Sequence, residues 1–217
     1  MKSDPTLWLL ARAAGLAAYG LVTASVLAGL TLRSRPAPSR LRPAAVADVH
    51  KTLALLGLGA LALHGAALAL DAVARISPEA LVVPGLAPRD RLAVALGVVA
   101  GDLMLVVILS SSLRRRIGFR VWRRMHWLTF AIFAGASAHG IMAGTDSPRP
   151  AVVWMYAAAV AAVVGATAWR VMTAPARGRR PAARATAPQR PAPHVPDPSP
   201  QRPAKSTPSA TPSSTLT

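Results

Sequence analysis

Residues 49–70, VHKTLALLGLGALALHGAALAL, form an apolar run of membrane-spanning length with a histidine towards each end, His50 and His64. Residues 124–143, RMHWLTFAIFAGASAHGIMA, repeat the design with His126 and His139. Four of the five histidines therefore lie inside two hydrophobic segments, fourteen residues apart in one and thirteen in the other. On an α-helix, fourteen steps of about 100° bring a side chain back to within roughly 40° of its starting direction. The rise over that interval is about 21 Å, most of the roughly 30 Å hydrocarbon core. His50 and His64 thus point the same way from nearly opposite leaflets.

Working outward, 53% of the 217 residues are hydrophobic, 15% are charged, and the mean hydropathy is +0.39. With several apolar runs of 18 residues or more, these values define a helical membrane protein. The absence of cysteine excludes disulfides, thiolate-ligated iron–sulfur clusters and thiol catalysis. The formal net charge is +17, but the basic residues cluster beside apolar spans and in the C-terminal tail. Membrane topology accounts for that clustering, and nucleic acid is not an expected partner.

The expected fold is all-α, a polytopic bundle of about five transmembrane helices. The spans fall at residues 7–32, 49–70, 91–113, 124–143 and 151–172, after a short polar start over 1–6. The first span is too long for a signal peptide, and Lys2 is offset by Asp4, so it reads as a retained helix. From residue 173 to 217 the composition turns to Pro, Ala, Ser, Thr and Arg without apolar periodicity, a tail expected to be disordered and to leave His194 inert.

Orientation follows from the arginines. Arg33, Arg35, Arg40 and Arg42 fill the first connector, and Arg114, Arg115, Arg116, Arg120, Arg123 and Arg124 the third. The tail adds Arg177, Arg179, Arg180 and Arg184. With five spans these segments share one side, which the positive-inside rule makes cytoplasmic. The N-terminus and the Pro-rich second loop then face out of a cell membrane. Trp8, Trp122, Trp127, Trp154 and Trp169 all fall near span ends, as interfacial anchors do.

This topology runs both histidine-bearing spans in the same direction. His50 then lies level with His126 near the inner leaflet, and His64 with His139 near the outer one. Each pair of neutral imidazoles can ligate a haem iron axially from both sides. Intramembrane histidines are costly in hydrocarbon and are functional candidates for that reason. The thirteen-residue interval turns His139 further off the face of His126. Helix tilt, a tight turn near Gly135, or haems at different azimuths would each absorb this.

Two further intramembrane charges stand out. Arg12 is placed to pair with a propionate of the outer haem, or to snorkel to the headgroups. Asp102, near the middle of the third span, is placed to accept a hydrogen bond from a ligating imidazole, to relay protons, or to sit protonated against a hydroxyl. Asp48 and Lys51 flank His50 and read as solvating the helix end, and Ser110–Ser112 as bonding back to the backbone.

The segments HKTLALLGLGALALH and HWLTFAIFAGASAH, with the basic lead-in RRRIGFRVWRRMHW, resemble the ferric reductase-like transmembrane domain. That family includes the membrane part of NADPH oxidases, ferric reductases, and the haem-binding membrane subunit of the bacterial methionine sulfoxide reductase system. The resemblance covers residues 5–172. It implies two b-type haems, an inner one on His50 and His126 and an outer one on His64 and His139, with electrons crossing the membrane between them.

The chain departs from the family in having five expected spans rather than six. It also has no G-x-G-x-x-G and no strand–helix alternation after the membrane part. The resemblance therefore implies the electron-transfer component of an oxidoreductase, fed by a separate reductase or a membrane quinol and emptied by an acceptor protein or small molecule. Two other classes compete: a non-haem metal or proton transporter using the same histidines, and a non-catalytic membrane partner whose basic tail binds anionic lipid or an acidic protein.

Overall fold

The computed structural model describes residues 5–32, 42–72, 74 and 76–173. Arg33, Arg35 and Arg40 of the first connector, and the tail from residue 174 with His194, lie outside the described residues. All elements among the described residues are helical: α1 (Pro5–Thr31), α2 (Pro43–Leu70), a 3₁₀ turn (Pro78–Leu81), α3 (Arg91–Ser112), α4 (Arg114–Ile117), α5 (Phe119–His126), α6 (Leu128–Ala143) and α7 (Pro150–Met172).

Proline opens α2 and α7 at their first positions, where its fixed φ suits a helix and its missing N–H forfeits no bond. Gly118, at φ 81°, separates α4 from α5 in a conformation that side chains with a Cβ rarely adopt. Asp90, at φ 47°, turns the chain into α3.

Four helices, α1, α2, α3 and α7, are long and apolar enough to cross a membrane. The fifth expected span, residues 124–143, is not one helix. It is divided between α5 and α6 by a break at Trp127, and α6 has 16 residues. At 1.5 Å per residue, α6 by itself covers about 24 Å, less than the hydrocarbon thickness. The chain is a multi-pass membrane protein.

The helices associate as two close pairs, α1 with α2 and α3 with α6, while α7 lies on α1. The spanning window of α1 is 44% buried, against 11% for α2 and α7, so α1 is the central helix. Its buried residues Ala11, Ala14, Ala18, Val22, Ser25 and Leu30 recur at helical spacing and make the seam.

In the core, Tyr19 of α1 meets Phe133 of α6 and Tyr156 of α7, with ring centres 5.9 and 4.7 Å apart. Polar groups there are satisfied locally, as hydrocarbon requires. The Tyr19 hydroxyl bonds the Ser137 Oγ at 3.1 Å, and Ser137 donates to the Phe133 carbonyl at 2.8 Å. By contrast α2 exposes Leu55, Leu56 and Leu63, the surface of a helix facing lipid.

Candidate haem site

The fold brings the four intramembrane histidines together as two pairs. The rings of His50 and His126 lie with centres 6.0 Å apart and planes at 72°. Those of His64 and His139 are 6.2 Å apart at 76°. Two imidazole nitrogens bonded to opposite sides of one metal ion, at about 2.0–2.1 Å each, put the ring centres about 6.3 Å apart. Both pairs have that spacing. Among the described residues no three His, Cys, Asp or Glu side chains converge on one point. A bare zinc-type ion takes three or four protein ligands, whereas haem iron needs the protein only at its axial positions.

The second nitrogen of three rings is engaged by helix backbone. The Nδ1 of His64 bonds the Ala11 carbonyl at 2.6 Å, and that of His139 the Ala93 carbonyl at 2.7 Å. The Nδ1 of His50 bonds the Ser25 carbonyl at 2.7 Å and lies 3.0 Å from the Ser25 hydroxyl, which also reaches the His50 carbonyl at 3.2 Å. A carbonyl only accepts, so Nδ1 carries the proton and Nε2 presents its lone pair. This is the orientation in which histidine ligates metal, with the outer hydrogen bond raising its basicity. His126 ends α5 and stacks on Trp122, ring centres 5.0 Å apart at 30°. The Trp122 indole donates to Ser111 Oγ at 3.1 Å, and the Arg114 guanidinium lies 5.0 Å above its ring.

The one-residue mismatch in spacing is absorbed at Trp127, not near Gly135. The Trp127 N–H donates to the Arg124 carbonyl and the Phe130 N–H to the Trp127 carbonyl, both at 3.2 Å and both closing three-residue turns. Such turns wind the chain by about 120° per residue instead of 100°, advancing His139 towards the face of His126. Gly135 instead lets α6 approach α3: a Cβ there would lie 3.4 Å from Ala100 Cβ and the Leu96 carbonyl.

Arg12 is largely buried, forms an ion pair with Asp146 in the turn between α6 and α7, and lies 4.0 Å over the Trp8 ring. Asp146 also holds Arg149 at 2.9 Å. Arg12 follows Ala11, the acceptor for His64, so it sits at that end of the bundle. Asp102 is half-buried and is not the acceptor for His50, His64 or His139, because backbone carbonyls take that place. Ser110, Ser111 and Ser112 bond back to the Val107 and Ile108 carbonyls, as their positions led us to expect. Asp48 and Lys51 are exposed at the start of the α2 span.

Sequence reasoning missed Ser25, Trp122, Asp146 and the glycines Gly15, Gly29 and Gly97, each of which lies against a site histidine or Arg12. One signal was available for two of them: Gly15 and Gly29 are fourteen residues apart, the interval of His50 and His64.

An all-helical, multi-pass membrane bundle with facing imidazole pairs at two levels defines the class of protein. A family model described as ferric reductase like transmembrane component matches residues 14–137. The chain belongs to that family, and membership points to a membrane electron-transfer module. The match runs from α1 into α6 and includes His50, His64 and His126, ending two residues before His139. No curated protein and no solved structure matches the chain.

Proposed function

We propose that this protein is a di-haem b-type membrane cytochrome that carries electrons between a separate donor and an acceptor on opposite sides of the membrane. The carrying observation is the ring spacing of 6.0 and 6.2 Å in two pairs at two levels. His50 and His126 would hold one haem, and His64 and His139 the other. When bound, each haem supplies a one-electron redox centre.

The chain's own residues do the rest. The Ser25, Ala11 and Ala93 carbonyls hold three imidazoles with Nε2 presented for ligation. Apolar helices exclude water from the path, and the two pairs are offset along α2 by about 21 Å, as fourteen helical residues dictate. Arg12, held by Asp146, places positive charge beside the His64–His139 level, where a propionate is a second partner for it. The arginine-rich end, with Arg114, Arg115, Arg116, Arg120, Arg123 and Arg124, is the cytoplasmic side by the positive-inside rule, and a reductase or quinol delivers electrons there. The acceptor, a protein or small molecule, takes them at the other end.

The test is the reduced-minus-oxidised spectrum of the purified protein with a haem-to-protein ratio. The expected result is a b-type spectrum with two haems per chain. A colourless protein, correctly inserted, sinks the reading.

A further inference from the structure

Three site histidines share a structural device. His64 bonds the carbonyl of Ala11, His50 that of Ser25, and His139 that of Ala93. Four residues further along the same helix stand Gly15, Gly29 and Gly97 respectively. A helical carbonyl is already bonded by the N–H four residues on, but it keeps a second lone pair. Cα–Cβ bonds lean towards the helix N-terminus, so the side chain at i+4 stands over the carbonyl of residue i. Only glycine leaves that carbonyl open to a ring from a neighbouring helix.

The distances bear this out at every position. A Cβ on Gly97 would lie 2.7 Å from His139 Nδ1, one on Gly15 would lie 3.0 Å from His64 Nδ1, and one on Gly29 would lie 3.2 Å from His50 Cε1. Glycine in a helix interior is otherwise unfavourable relative to alanine. Gly20, Gly59 and Gly165, also helical, have nothing within 4 Å of an added Cβ. Gly140 and Gly101 are also tightly packed, against Tyr156 and Leu61, but Gly15, Gly29 and Gly97 are the described helical glycines that stand against a histidine.

We infer that Gly15, Gly29 and Gly97 are positioning residues for the imidazoles. Each opens one helix carbonyl to an Nδ1–H, and so fixes the tautomer and plane of the ring that presents Nε2. The inference rests on the haem-ligating reading above. It adds that the geometry of His64 and His139 is set from α1 and α3 backbone, and that of His50 from α1 alone. A methyl group at a notch pushes the ring off its carbonyl, weakens the Nδ1 hydrogen bond and rotates the ligand plane.

The experiment compares G97A, G15A and G29A with G20A, G59A and G165A in the full-length protein purified from membranes. Haem content, optical redox titration and low-temperature electron paramagnetic resonance of the low-spin ferric signals are read for each. G97A and G15A are expected to shift or abolish the signal and midpoint of the His64–His139 haem and leave the other haem at its wild-type values. G29A, the mildest of the three, shifts only the His50–His126 haem, and keeps the test open if the tighter two fail to insert. The three control variants match wild type.

If all three notch variants keep wild-type signals and midpoints, or if each disturbs both haems alike, the positioning role is wrong while the haem reading stands. A wild-type protein without haem removes both.

Discussion

The two histidine pairs are alike in spacing and unlike in how their rings are held. At the His64–His139 level, both rings come from helix interiors and rest on backbone carbonyls of α1 and α3 beside glycines. At the His50–His126 level, side chains take a larger part. The Ser25 hydroxyl supplements its own carbonyl at His50, and His126 sits at the end of α5 against Trp122, which is tied to Ser111 and overlain by Arg114. One pair is fixed by continuous helix backbone, which has few ways to rearrange. The other lies beside a helix break and leans on the side chains of Ser25 and Trp122, and through Trp122 on Ser111 and Arg114. Two chemically identical pairs of imidazoles are thereby given different surroundings, and if they ligate haems as proposed, those surroundings tune the potentials.

The most severe way to break this comparison is to delete a ligand from one level. In His64→Ala or His139→Ala the haem content is expected to fall from two to about one per chain, with the His50–His126 spectrum retained, since each level has its own ligands. Haem assay and optical spectra of both variants check this, and a His64→Ala protein with full haem content would refute the pairing.

A smaller effect is expected at the Arg12–Asp146 ion pair, which closes the end of the bundle next to Ala11. Asp146→Asn leaves a largely buried guanidinium without its carboxylate. It is expected to cost about 1.5–3 kcal/mol, the range for hydrogen bonds to charged groups. Thermal unfolding in detergent reads the loss, and the midpoint of the His64–His139 haem is expected to move upward while the other stays.

Trp122→Leu sharpens the contrast from the opposite end. Loss of an aromatic ring contact is worth about 0.5–1.5 kcal/mol. The variant is expected to shift the His50–His126 signal and leave its counterpart unchanged in redox titration. A shift confined to the His64–His139 haem would reverse the assignment of levels. Ser25→Ala is milder still. It removes the hydroxyl but keeps the carbonyl bond to His50, so haem is retained and the stability loss is about 0.5–1.5 kcal/mol by denaturant melting. Truncation after Met172 is expected to leave haem content and both midpoints as they are, because every proposed ligand precedes that residue.

Much of this was legible in the chain. The helical class and the spans followed from apolar runs that hydrocarbon-length helices require, and α1, α2, α3 and α7 lie where those runs lie. The four histidines announced themselves as polar groups in the wrong solvent, and the order of basic connectors put them at matched depths.

The division of the span over residues 124–143 was not legible. MHWLTF carries no proline or glycine to mark a break, and the turn at Trp127 is closed by backbone hydrogen bonds to the Arg124 and Trp127 carbonyls and by the Thr129 hydroxyl on the His126 carbonyl, which a residue pattern does not display. Asp102 was an attractive second partner for an imidazole because carboxylates commonly fill that role. At His50, His64 and His139 what decided otherwise was a backbone carbonyl, which every residue possesses and no sequence displays. Arg12 and Asp146 are separated by 134 positions, and nothing local in either sequence points to the other.

The sequence by itself determined that this chain must lie in a membrane as helices and must carry imidazoles at two depths, because those properties depend on solvent, length and helical period alone. Only the tertiary structure decided which ring faces which, which carbonyl holds each Nδ1, and which glycines let the rings in. Those outcomes depend on the distance and rotation between neighbouring helices, and close contacts between elements far apart in the chain set both.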